Sequence, residues 1–289
     1  MTIEPFSGEV RDGRVWGRGA CDTKGPMAAM LWGLKQNAAL LREARVAVDF
    51  VAFMGEESGQ WGSRDFARRH GADYEFAIVG EPTDLDIVHV TKGSLWATLR
   101  TTGKATHSSQ PEKGDNAVVK MVRALPAFEQ ALRERLSGFT HPVLGGSTLN
   151  IGVIRGGSRP NVVPDLCEAE IDLRTTPSLV EAGGGLALVR ECLDGTPLEL
   201  VEPHDNPPMA TPGDHPWIER IRAVRPESKP VGAPWFSDAA HLSAGGIPSV
   251  CLGAGSIDQA HTCDEFIEVA ALKEGADFFT SLIRQIATA

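Results

Sequence analysis

No run of eighteen apolar residues occurs in this 289-residue chain, so no stretch of it reads as a membrane-spanning helix. The N-terminus, Met1-Thr2-Ile3-Glu4-Pro5-Phe6, has neither a basic region nor an apolar core, and no secretory leader is visible there. Cysteine is scarce: Cys21, Cys167, Cys192, Cys251 and Cys263 are an odd number with no CxxC spacing. That pattern argues against a disulfide framework and against paired thiolate ligands, and fits a reducing, cytoplasmic setting. Positive charge is in deficit, with 28 Lys+Arg against 38 Asp+Glu and a net charge of -10. Nucleic acid and anionic membranes are therefore poor candidate partners. Repeats and low-complexity tracts are absent, and the tryptophans read as core or interface.

What is present is enough apolar content, 42% over 289 residues, for two compact domains. Glu9 to Trp16 reads as a hairpin turning at Asp12-Gly13. It leads into Gly17-Arg18-Gly19-Ala20-Cys21-Asp22-Thr23-Lys24-Gly25, a glycine-punctuated turn before a helix expected from Pro26 to about Arg42. Val46 to Met54 is a near-continuous apolar run of the kind buried in a parallel sheet, and it stops at Gly55-Glu56-Glu57-Ser58-Gly59. A helix is expected over Ser63 to Arg69, then a strand over Phe76 to Val79 that stops at Gly80-Glu81. Twice, then, a hydrophobic strand ends at Gly-Glu, where α/β sheets present ligands.

From Lys92 the texture changes to a strand over Leu95–Thr101, a helix over Asn116–Leu136 and strands over Thr148–Ile154 and Leu166–Leu173. A helix from Ser178 to Leu193 and a strand over Pro197–Val201 complete a β-α-β-β-α-β order. The α/β texture resumes with a helix from His215, a strand over Ile247–Leu252 and a helix from Val269 to Ile286. The expected domains are residues 1–91 and 204–289 as one α/β domain, with 92–203 inserted as an α+β domain.

The chemistry resides in scattered acids and histidines: Asp22, Glu56, Glu57, Glu81, Asp238 and His261, with His107 in the inserted domain. Oxygen and nitrogen donors of this kind suit one or two divalent cations such as zinc. Adjacent glutamates are mostly solvated surface, but Glu56-Glu57 follows an apolar strand and is flanked by glycines. In such a turn one carboxylate can ligate a metal while the other faces water. His107 in His107-Ser108-Ser109 reads equally well as a turn cap. Cys21 and Cys263, beside proposed ligands, read as buried small hydrophobes. His89 and His241 read as structural.

Taken together, GRGxxDxKG, MGEESG, VGEPT, THSSQPEKGDNA, RPNVVPD and AHTCDE resemble the dinuclear zinc exopeptidases and deacylases. That family includes acetylornithine deacetylase, succinyl-diaminopimelate desuccinylase, aminoacylase and carboxypeptidase G-type enzymes, and the resemblance covers the whole chain. It implies a zinc-exopeptidase-like α/β catalytic domain carrying a ferredoxin-like lid that also serves dimerisation. Asp22 resembles the carboxylate bridging two zincs, with the following peptide bond often cis. Glu56 resembles the general base. Glu57 and His261 look like ligands of one zinc and Glu81 of the other, with cobalt or manganese as substitutes. His107 resembles the lid histidine that stabilises the oxyanion. Asn161, Arg174 and Lys92 resemble the lid groups holding a substrate carboxylate. The logic is that zinc lowers a water pKa toward about 7, Glu56 takes the proton, and His107 helps bind the developing charge.

The family's first metal motif, His-x-Asp on an early strand, has no counterpart here, since no histidine precedes His70. The expectation is an N-terminally shortened catalytic domain. Its Asp22, Glu57 and His261 site is complete, whereas the Glu81 site lacks its histidine. A gene reading with a late start is favoured over a naturally shortened protein or a non-catalytic relative that dimerises through its lid, because the other positions hold the expected residues. A missing buried strand would also lower solubility. Thr106 to Gly114 looks most like acetylornithine deacetylase. Thr91-Lys92-Gly93-Ser94, and Phe236 before Ser237-Asp238, depart from the desuccinylase pattern. An N-acyl amino acid is the expected substrate, with dipeptidase or carboxypeptidase activity as the alternative within the family.

Overall fold

The structure is a computed structural model and describes residues 1–288. The chain divides into two compact units, one of residues 1–90, 210–232 and 237–289, the other of residues 91–209 and 233–236. Among the described residues no helix is long and apolar enough to cross a membrane.

In the first unit, Val10–Arg11 and Arg14–Trp16 form the expected hairpin, with Val10 opposite Val15. Phe266–Glu268, from the far end of the chain, adds antiparallel to Arg14–Trp16. A second sheet has the order Pro230–Ala233, Ile87–Thr91, Ser249–Cys251, Ala77–Val79. Ser249–Cys251 runs parallel to Ala77–Val79, the α/β signature, and Cys251 pairs antiparallel with Val88. Helices Gly25–Gln36, Pro216–Val224 and Val269–Thr288 supply Ala29, Ile218, Ile221, Phe279 and Leu282 to the core against Ile87 and Val250.

Two expectations need correction in this unit. The helix anticipated to Arg42 stops at Gln36 and restarts at Ala38. Asn37 is buried there, and its Nδ2 donates 2.9 Å bonds to the carbonyls of Gly33 and Thr280, which hold a non-helical backbone in place. The apolar run Val46–Met54 forms no strand. A buried parallel strand needs a ladder partner and cover on both faces. Among the described residues nothing hydrogen-bonds the backbone of 45–53, and only Phe53 packs against a cluster, that of Ala67, Leu242 and Ile247. Val46, Val51 and Met54 are exposed.

The second unit is an antiparallel sheet in the order Glu199–Asn206, Gly93–Thr102, Leu166–Thr175, Thr148–Gly156. Ala117–Leu136 and Gly185–Leu193 contribute Met121, Phe128, Leu132 and Val189 to a core with Leu95, Leu99 and Leu173. Strand, helix, strand, strand, helix, strand is the ferredoxin-like order. Alternation explains the single core: Leu95, Ala97 and Leu99 point to the helices, while Ser94 and Trp96 lie on the opposite face. The helix expected over Ser178–Leu193 is split into Pro177–Glu181 and Gly185–Leu193. Gly183 and Gly184 break it, with φ of 116° and 91° that only glycine adopts cheaply.

Candidate active site

Asp22 lies in the irregular turn Ala20–Lys24, which leads directly from the hairpin, and its peptide bond to Thr23 is cis. The Thr23 hydroxyl bonds the Gly80 carbonyl, tying this turn to the end of strand Ala77–Val79 and to Glu81. Glu56 and Glu57 occupy a single tight turn between Gly55 and Gly59, both left-handed at φ 80° and 116°. That turn sends the two carboxylates different ways: Glu57 is exposed and Glu56 half-buried. His261, itself left-handed at φ 59°, closes the group.

Its Nε2 stands 3.3 Å from Glu57 Oε1 and 3.6 Å from Asp22 Oδ2. Donor atoms of Asp22, Glu57 and His261 all lie within 4.8 Å of one another, a spacing a single cation can satisfy. The donor set, two carboxylates and one imidazole, fits zinc.

Around this trio the acids are crowded. Burial raises the Asp22 pKa, with Glu57 adding to it. Glu56 is pushed to about 7 by burial first, then by the charges of Asp238 and Glu57. Glu81 is 9% exposed and held well above the usual carboxylate range by burial and by Glu56 and Asp22. Asp238, also buried, accepts a hydrogen bond from the Ser63 hydroxyl, which offsets part of the upward push of burial. Like charges gathered in low dielectric disfavour one another, and a cation relieves them.

Cys21 is fully buried with its thiol pushed up to about 12, as expected of a packed hydrophobe. Cys263 departs from that expectation: it is exposed. His89 and His241 are buried.

The residues expected to bind the oxyanion and the substrate carboxylate belong to the second unit. His107 pairs with Val162 through an isolated bridge, and the Asn161 carbonyl accepts from Ser108 N at 3.0 Å, so one loop pairing presents both residues. The Ser109 N–H donates to His107 Nδ1 at 3.2 Å. His107 Nδ1 also stands 2.8 Å from the Ser109 hydroxyl oxygen. Lys92 is buried, with Nζ donating to the Gly146 carbonyl at 2.6 Å, and its pKa is lowered by burial and by the neighbouring Arg174. Arg174 donates to Asp172 Oδ2 from Nε at 3.1 Å and Nη2 at 2.9 Å.

The model of peptidase family M20/M25/M40 matches residues 1–285. The chain belongs to that family. Its members are metal-dependent hydrolases, typically of zinc. Acetylornithine deacetylase of Proteus mirabilis (strain HI4320) is 31% identical over 298 residues, a match covering 100% of this chain and 76% of the relative. Among solved structures, an M20 family metallo-carboxypeptidase from Sulfolobus solfataricus superposes with TM-score 0.78 at 18% identity over 100% of this chain and 81% of the other. A tripeptidase from Staphylococcus aureus subsp. aureus mu50 gives 0.77 at 22% identity over 97% and 76%. These likenesses to solved structures carry the fold.

Sequence reasoning passed over Ser63, Asp172 and Glu265. Each hydrogen-bonds a candidate residue or its backbone, and only the Asp172-x-Arg174 spacing on one strand face left a local trace.

Proposed function

We propose that this chain hydrolyses the amide bond of N-acyl amino acids, with Asp22, Glu57 and His261 holding one divalent cation. The convergence of those three donors beside Glu56 carries the reading. When bound, the ion supplies a Lewis acid and activates a water molecule at neutral pH. The remaining work falls to side chains. Glu56, poised near neutrality, accepts a proton at its carboxylate and can return it to the leaving amine. Glu81 would offer a buried carboxylate to a second cation, were one held. His107 would donate from its ring to the oxygen on which negative charge develops.

Substrate choice rests on the lid. Lys92 is a buried cation that no carboxylate among the described residues pairs with. A buried charge calls for a partner, and a substrate carboxylate meets that need together with Arg174 and Asn161. Asp172 engages Nε and Nη2 of Arg174, leaving Nη1 for the ligand. The deacetylase relative supports an N-acyl amino acid over a longer peptide. Pairing of two copies through the lid is supported by the edge strand Thr148–Gly156, with Ile154 exposed, and by exposed Val122.

The test loads the chain with zinc, cobalt or manganese and follows amine release from N-acetylornithine, other N-acyl amino acids and dipeptides. Glu56→Gln should keep the cation and lose about 10²–10⁴ in kcat. Turnover undiminished by Glu56→Gln, or none of any substrate by the loaded wild type, contradicts the proposal.

A further inference from the structure

Glu265 is 1% exposed and is no ligand, yet its carboxylate is the most heavily bonded group near the site. Oε1 accepts from the backbone N–H of Cys21 and of Asp22, each at 2.8 Å. Oε2 accepts from Gly19 N at 2.7 Å and from Arg18 Nη1 at 3.1 Å. The Glu265 carbonyl takes Gly17 N at 3.0 Å. Five donors from one turn thus converge on one residue from the opposite end of the chain. Arg18 completes the link, because its Nη2 donates to the Thr262 carbonyl at 3.0 Å, one residue beyond His261. A buried carboxylate left without donors is strongly disfavoured, so each of these bonds fixes the turn firmly.

We propose that Glu265 and Arg18 are a positioning pair that holds Asp22 and His261 at cation-binding separation. The pair acts through backbone: Glu265 clamps the amide of Asp22, and Arg18 clamps the carbonyl next to His261. This rests on the reading of Asp22, Glu57 and His261 as a cation site. A carboxylate that merely caps a turn would change thermal stability and leave the affinity of the folded chain for zinc untouched.

The experiment is an equilibrium zinc titration, with a competing chelator, of wild type, Glu265→Gln, Arg18→Gln, Asp22→Asn and the Asp22→Asn/Glu265→Gln double variant. It is paired with hydrogen exchange at the Cys21 and Asp22 amides. Glu265→Gln should weaken zinc binding about 10–100-fold, as loss of a ligand's supporting contact does elsewhere. Both amides should exchange faster. In the Asp22→Asn background that loss should shrink by at least about fivefold, since the residue acted through is gone. Arg18→Gln keeps both Oε1 bonds, and it carries the test if Glu265→Gln does not fold: an affinity loss of about 3–10-fold is expected. Unchanged zinc affinity in folded Glu265→Gln or Arg18→Gln, or an equal loss in the Asp22→Asn background, overturns the proposal. A wild-type chain that takes up no zinc refutes the cation site instead, and amide exchange unaltered by Glu265→Gln then refutes the clamp separately.

Discussion

His261 Nε2 lies 3.6 Å from Asp22 Oδ2, although the two residues come from opposite ends of the chain. The antiparallel pairing of Phe266–Glu268 with Arg14–Trp16 brings them there, so the proposed cation site assembles only when the ends of the first unit have met. Cation binding and folding are therefore linked, and zinc should raise Tm. At a free concentration of 100 Kd the gain is about 2.7 kcal/mol. Thermal melts with and without zinc read it directly, and an unchanged Tm at saturating zinc contradicts the linkage.

Zinc uptake should release protons. Asp22 and Glu81 are raised, and Glu56 reaches about 7, in the metal-free chain. A cation favours their ionised forms, so affinity climbs from pH 6 to pH 8, with on the order of one proton released per ion near pH 6.5. Calorimetry in buffers of different ionisation enthalpy counts those protons. A pH-independent affinity would contradict the crowding of acids described above.

Glu81→Gln should stabilise the metal-free chain, against the usual cost of altering a buried group. The folded-state pKa of Glu81 is raised, so the folded chain holds a proton that the unfolded chain releases above about 4.5. Stability is therefore lost as pH rises from there toward the folded value, and a neutral amide removes that loss. Urea unfolding at pH 8 should show a gain of about 1–3 kcal/mol, shrinking toward pH 5. Destabilisation of equal size at both pH values would contradict this.

His241 gives a slope of opposite sign on the acid side. It is buried, and burial together with Arg64 depresses its pKa to about 4. The unfolded chain takes up a proton below about 6.5 while the folded chain does not until about 4, so stability falls by ~1.4 kcal/mol per pH unit between those values. Denaturation midpoints from pH 6.5 to 4.5 should flatten in His241→Gln. An identical slope in both proteins contradicts the assignment.

The segment Val46–Met54 should behave as exposed chain. With no backbone hydrogen bonds over 45–53 among the described residues, its amides should exchange among the fastest in the first unit. Val51→Thr should shift stability by less than about 0.5 kcal/mol and improve solubility, whereas Ile247→Ala, in the core, should cost about 2–5. Slow exchange at Val48 to Val51 would restore the buried strand that the residue pattern suggested.

That segment also shows where the sequence misleads. Apolar content specifies burial only if a partner exists, and partnership is a property of other residues. The second unit was far more legible, because the alternation of Leu95, Ala97 and Leu99 and the long helix Ala117–Leu136 are local patterns that one sheet face satisfies. The candidate residues Asp22, Glu56, Glu57 and Glu81 stand out in the sequence for a related reason: each sits at a glycine-marked turn at or near an apolar run. Glu265 and Ser63 had no such mark. Their partners, the Asp22 amide and Asp238, lie 243 and 175 residues away, a distance no local pattern spans.

The account stands most directly on one titration, zinc against this chain and against Glu57→Gln. Glu57 is exposed and in a turn, so its replacement removes a donor and little else. The prediction is at least one ion bound per wild-type chain, with affinity at least about 10-fold weaker in Glu57→Gln at unchanged Tm of the metal-free proteins. Equal zinc affinity in the two proteins would contradict the site, and with it the hydrolytic mechanism built on it.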